Sequence, residues 1–340
     1  MRNARQSALF GGNFFPGLLI LLVLATALSA RDRIAYIEFF GYQGIDLDAV
    51  RNALPFHGGD KLSSDLEGQA RAAVKRVTGR DITGFNVVCC ADDGDSVVFV
   101  GLPGASSHVF RFNPPPQGDA TAPDELAALW RNMSQAEIKA VQNGNSEEDG
   151  APGYRLLKEA GARAAEVAVR TYALQHQDEM IRVLESSGKP DQRAIAADAL
   201  GYGARTTRQM AALVRAARDP DSDVRNNSTR ALGEILRADP SAAAQVPADT
   251  FIDMVRSGTW SDRNKGCLTL WPLTQSRDPK LLAQVKSEAE VALWEIARWR
   301  SIGWAFCARA VLGRTAGIPE ERLNPLAFGP LEAFTAAMGR

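Results

Sequence analysis

Four cysteines, three histidines and one short acidic run are the side chains here best suited to chemistry. Cys89 and Cys90 are adjacent, whereas Cys267 and Cys307 stand apart. No C-x-x-C pair occurs and His57, His108 and His176 are scattered, so the spacing of a Cys/His zinc site is missing. Asp92-Asp93-Gly94-Asp95 offers carboxylates, but not at calcium-loop spacing, and reads as a hairpin turn. The sequence offers no Ser/His/Asp set, no phosphate loop and no paired carboxylates on one helix face. The expectation is a chain that is not an enzyme and has no catalytic, cofactor or metal residue. Lys and Arg number 39 against 40 Asp and Glu, and the arginines are spread along helical segments. That excludes the clustered basic surface of a nucleic-acid binder. Trp260, Trp271, Trp294, Trp299 and Trp304 crowd the C-terminal third. They offer either an aromatic groove for a ligand or large packing anchors, and packing is the expected role.

The elements that must carry these residues are clearest at Asp219–Pro240. Asp219-Pro220 ends the preceding helix, and Asp221, Ser222 and Asp223 supply N-cap oxygens. Val224, Ser228, Ala231, Leu232 and Ile235 then form a helical stripe, and Asp239-Pro240 closes the helix. Copies lie on both sides. Asp191, Arg193, Ala199, Leu200 and Gly201 align with Asp223, Arg225, Ala231, Leu232 and Gly233. Looser copies run through Arg263 and Leu270, and through Ala308, Leu312 and Gly313. A shorter helical segment precedes each copy.

This pattern resembles the short bacterial form of the HEAT repeat. The resemblance rests on D-x-R at Asp191/Arg193 and Asp223/Arg225, and on A-L-G at Ala199–Gly201 and Ala231–Gly233. It implies that Asp191, Arg193, Asp223, Arg225 and Arg263 form a structural ladder between repeats rather than a binding site. The repeat alignment puts Cys267 and Cys307 on facing flanks of successive helices. A disulfide and two buried thiols both remain open, because the Cα separation a disulfide needs is narrow.

Residues 1–30 resemble a secretory signal peptide: Arg2 and Arg5, an apolar run from Leu18 to Leu24, and small residues at Ala25–Ala30. Cleavage at Ala30 leaves 37 basic against 40 acidic side chains. The rival expectation is an uncleaved inner-membrane anchor over 14–30, which would hold the chain near the membrane. Either places the rest periplasmic or extracellular. Residues 31–103 predict a β-α-α-β-β domain: a strand from Ile34, helix Leu47–Leu54, a helix opened by a Ser64/Glu67 capping box, and strands Phe85–Cys90 and Ser96–Gly101. The order, with Ile37-x-Phe39-x-Gly41 and Gly59-Asp60, resembles POTRA domains. Those bind polypeptides, often by accepting a strand at a sheet edge. A Pro-rich linker (104–125) leads to an all-α HEAT-type α-solenoid (126–340). It is expected to begin with helices Asp124–Asn132, Gln135–Gln142 and Gly153–Ala173, and to end with one over Asn324–Met338.

The fold class expected is thus an α+β N-terminal domain followed by an α-solenoid. The function expected is a non-enzymatic scaffold or adaptor of the bacterial envelope or exterior. It would bind a protein or peptide partner, and no nucleic acid, on the helical-repeat surface. Two alternatives stay open: a lyase-like enzyme or subunit, since short bacterial HEAT repeats also occur in phycobilin lyases, and a self-assembling structural envelope protein.

Overall fold

The β-α-α-β-β order is observed as β1 (Ile34–Phe40), α1 (Leu47–Ala53), α2 (Leu66–Thr78), β2 (Gly84–Val88) and β3 (Ser96–Gly101). The computed structural model describes residues 32–340 except 92, 146 and 150–152. The expected signal peptide (1–30), or anchor (14–30), lies outside the described residues. No described helix is long and apolar enough to cross a membrane. β3 runs parallel to β1 and antiparallel to β2, giving the mixed order β1-β3-β2. Asp46 caps α1 by accepting from the Asp48 and Ala49 N–H groups. The Ser64/Glu67 box does not form: α2 starts behind Asp65 without a side-chain cap bond, and Glu67 pairs instead with Arg71 one turn on. One sheet face packs Ile34, Phe39, Val98 and Val100 against Val50, Leu54, Ala70 and Val74 of α1 and α2. Alternation along β3 sends Phe99 to the other face.

Two compact units emerge from the described chain. One is Asn113–Val246; the other joins the residues up to Phe112 with Pro247–Arg340. The first unit holds α3 (Asp124–Gln142), α4 (Ala160–Gln175), α5 (Gln177–Ser186), α6 (Pro190–Leu200), α7 (Thr207–Ala216) and α8 (Ser222–Ala238). α3 is continuous through Ser134, where the sequence predicts a break. Leu126, Met133 and Ala140 are buried at successive sevens, and one unbroken apolar stripe outweighs a local cap. α4 begins at Ala160 behind Glu159, whose carboxylate accepts from the Ala162 N–H, so residues 153–159 are not helical. In α8 the Asp221 side chain accepts from the Asp223 and Val224 N–H groups, and the predicted stripe from Val224 to Ile235 is buried.

Asn113–Ala122 is no free spacer within this unit. The Asn113 N–H donates to Arg218 O at 2.7 Å and its side-chain amide to Arg215 O at 2.9 Å. The Gly118 N–H donates to Ser186 O at 2.8 Å, and Gly118 O accepts from the Gly188 N–H at 2.7 Å. The Ala122 N–H donates to Gln192 Oε1. The segment therefore bonds the turns after α5 and α7. Only glycine fits at 118, because a Cβ there would stand 2.6 Å from Ser186 O. Gly118→Val is expected to destabilise the chain by about 1–3 kcal/mol and to speed proteolysis within 113–122. Calorimetry and timed digestion against wild type read both, and unchanged stability would remove the tether.

The second unit adds α9 (Asp249–Val255), α10 (Trp260–Leu273), α11 (Pro279–Ala297), α12 (Ile302–Thr315), α13 (Glu320–Ala327) and α14 (Leu331–Ala337). The single terminal helix predicted is two, broken at Gly329-Pro330, since Pro330 disfavours helix in the residue before it. Val109–Phe112 is not a strand; only His108 bridges to Ser257, its N–H donating to Arg256 O. The tryptophans pack. Phe99 lies 5.0 Å from the Trp260 ring, 5.1 Å from Trp299 and 5.2 Å from Trp304. Trp271 meets Phe306 edge-on at 5.0 Å, and Trp294 meets Phe334 at 5.6 Å. Each such pair adds about 0.5–1.5 kcal/mol beyond burial. These rings fix the sheet to α10–α12.

Candidate functional site

The repeat arginines share one position and one task. Arg193, Arg225 and Arg263 are each the fourth residue of their helix and each is buried. Arg193 Nη1 donates to Ser187 O at 2.9 Å, Arg225 Nη1 to Asp219 O at 2.9 Å, and Arg263 Nε to Ser257 O at 2.6 Å. In every case the acceptor lies six residues earlier, in the turn joining the two helices of a pair. That turn carries carbonyls the first helix leaves unpaired, and a planar guanidinium can reach several at once.

The acidic partners differ from the sequence expectation. Arg193 donates from Nε and Nη2 to the two carboxylate oxygens of Asp219, at 2.7 and 2.8 Å. Asp191 is exposed and accepts only from its neighbour Gln192, because residues two apart point to opposite sides of a helix. Asp223 is likewise exposed in the first turn of α8. Arg263 pairs through Nη1 with Glu295 at 2.7 Å, and its Nη2 donates to Ser106 O at 2.6 Å. Glu295 also accepts from the Gly41 N–H at 2.7 Å, the Tyr42 N–H at 3.0 Å and the Ser106 hydroxyl at 2.5 Å. Gly41 adopts φ +73°, and a Cβ there would stand 2.4 Å from Leu102 O. The ladder arginine of α10 is thus the centre of the junction between helices and α+β segment.

Cys267 and Cys307 are fully buried and unbonded. They sit within hydrogen-bond reach of one another, and burial pushes the Cys267 thiol up. β2 ends at Val88, so Cys89 and Cys90 are exposed beyond it and joined to each other. Alkylation of the denatured, unreduced chain is expected to block two thiols by intact mass, and four after reduction. Blocking none before reduction would establish a Cys267–Cys307 bond.

The sequence missed a buried acid cluster in the first unit. Glu137 on α3 and Glu166 on α4 approach the same guanidinium, Arg155, and the Glu137 charge helps to raise the Glu166 carboxyl. Arg155 Nη2 pairs with Glu137, and Arg155 Nε lies 3.7 Å from Glu166 Oε1. Glu166 Oε2 accepts from the Leu157 N–H at 2.7 Å, while Oε1 lacks a conventional donor. A proton on Oε1 turns that atom into the donor. Burial pushes the Glu166 carboxyl up to about 8, opposed by the Leu157 bond and the Arg155 charge and reinforced by Glu137. Tyr202 O–H receives Arg155 at 3.4 Å, and Asp198 accepts from Trp130 Nε1 at 2.8 Å. Burial also raises Tyr202 and Glu137. The pair lies on two successive helices, and no spacing rule within one helix joins residues across the loop between them. Chemically it could give and take a proton. The cavity beside it, lined by Arg155, Asp198, Tyr202, Arg230 and Glu234, is about 10 Å³, roughly the space of one water. A larger open groove of about 480 Å³ follows Leu174–Glu179 with Ala204 and Thr206. Among the described residues, no group of three His, Cys, Asp or Glu side chains could hold a metal ion.

Comparison with the curated proteins found no similar sequence. Residues 178–263, from α5 into α10 and including all three ladder arginines, match the family model of HEAT repeats.

Proposed function

We propose that the chain is a non-enzymatic protein-interaction scaffold or adaptor of the bacterial envelope or exterior, holding a polypeptide on its helical-repeat surface. HEAT repeats commonly bind proteins, and the repeat arginines Arg193, Arg225 and Arg263 are spent on internal turns. The carrying observation is apolar exposure on the first helix pair: Ile138 and Val141 on α3 and Val167 and Leu174 on α4 are each 44–57 % exposed. Apolar side chains this exposed on two neighbouring helices suit an interaction surface. Photo-crosslinking amino acids at Ile138 and Val167 of the full chain, in envelope extracts, are expected to trap a discrete protein. Capture no greater than from the exposed position Arg76, on α2, would end this reading.

The α+β segment supports a second contact. Its element order and mixed sheet suit a POTRA-like domain, and β2 is an edge strand that could accept an extended segment. Export rests on the Arg2/Arg5 and Leu18–Ala30 pattern. N-terminal sequencing of the protein recovered from the envelope fraction tests it: a chain starting after Ala30 supports cleavage, and recovery from the cytosol would end the envelope assignment.

A further inference from the structure

We infer that the arginine face formed by α1, the α11–α12 turn and the last residue of the chain is a docking surface for an acidic polypeptide segment. Four guanidinium groups there lie over aromatic rings: Arg51 over Phe39 at 5.5 Å, Arg298 over Trp294 at 5.4 Å, Arg300 over Tyr36 at 5.1 Å and Arg340 over Trp294 at 4.6 Å. Arg298 and Arg340 share the Trp294 ring, and the charges of Arg300 and Arg51 meet at Glu38. The Arg298 and Arg51 charges both act on Tyr42. Stacking occupies the face of a guanidinium and leaves its in-plane N–H fork outward, the geometry that grips a carboxylate with two parallel bonds. Arg298 and Arg300 are exposed and form no ion pair among the described residues, whereas Arg51 and Arg340 each spend one N–H, on Asp48 and Glu290.

Charge favours a polypeptide over a nucleic acid. The cations of the face are all arginine, and Glu38, Asp48 and Glu290 lie among them. A continuous phosphate backbone would meet those carboxylates, while spaced Asp and Glu side chains can avoid them. Glu38 makes the face responsive to pH. Burial pushes its carboxyl up to about 7, against the Arg300 N–H bond and the Arg300 and Arg51 charges. The other titratable or charged groups around it are Tyr36 and Tyr42, and Glu295 and Arg298 of α11; β3 contributes none. As pH falls through 7 the carboxylate is neutralised and the surface becomes more cationic.

This inference names a partner chemistry for the scaffold, and it rests on that reading only in expecting a protein. Fluorescence anisotropy of a labelled twelve-residue Glu-rich peptide with the full chain at low salt tests it, with an oligodeoxythymidine and a Lys-rich peptide alongside. The Glu-rich peptide is expected to bind. R298Q/R300Q should weaken it about tenfold with thermal stability unchanged, and high salt should abolish it. Affinity should rise between pH 8 and 6, and E38Q should keep it high throughout. No binding, indifference to R298Q/R300Q, or tighter binding of the oligonucleotide overturns the inference. Crosslinking at Ile138 and Val167 reads the scaffold separately, so either can fail alone.

Discussion

Glu295→Ala is expected to cost about 3–5 kcal/mol, the usual penalty for stranding a buried charge. The Arg263 guanidinium is fully buried, and its other N–H groups go to Ser257 O and Ser106 O, not to an anion. Removing the carboxylate also leaves the Gly41 and Tyr42 N–H groups and the Ser106 hydroxyl without their acceptor. Water cannot replace it while Phe40, itself buried, lies 5.0 Å beneath the guanidinium. Arg263→Met should cost a similar amount, since Glu295 then loses its counter-ion. The double variant should cost clearly less than the sum, because each partner's removal forfeits the same pair. Calorimetry gives the three energies, and tryptophan emission reports whether the Phe99 cage opens with them. Additive costs, or a Glu295→Ala penalty below about 1 kcal/mol, would mean the pair is not a clamp.

That clamp marks where sequence stops being informative. The local features of α8 are legible: Asp221 caps it, Val224 to Ile235 is its stripe, and Asp239-Pro240 closes it. Each depends on residues within a few positions. The repeated arginine was legible as structural, but its acid was not. Asp191 is two residues from Arg193 and Asp219 is 26 away, and only the turn geometry selects the distant one. Glu295 had no repeat signature, so nothing flagged it. The tryptophans show the same limit. Trp299 and Trp304 cannot share a face of one helix, yet both meet Phe99 because a turn lies between them. Ser134 failed for the opposite reason: a good local cap lost to a longer stripe. Prolines 114–116 suggested a stiff spacer, and the bonds that tether it are made by Asn113 and Gly118 on either side.

The buried acid pair sets a pH dependence whose sign is fixed. An unfolded glutamate ionises near 4.3, whereas Glu166 in the fold holds its proton up to about 8. Between those values the folded chain binds the extra proton, so its stability falls as pH rises, by at most about 1.4 kcal/mol per pH unit. The contribution is complete below about 4.3 and gone above the folded value. Glu137 and Glu148, both raised first by burial, add in the same direction. Glu166→Gln should therefore gain stability relative to wild type as pH rises from 6 to 9. Its amide can still accept from the Leu157 N–H, and it carries no charge to bury beside Glu137. Denaturation midpoints across that range, wild type against E166Q and with E137Q as the second arm, give the test. Parallel curves for wild type and E166Q would show that Glu166 is already ionised in the fold. A steeper wild-type loss would show that Glu166 holds its proton in the fold, with Arg155 left to neutralise Glu137.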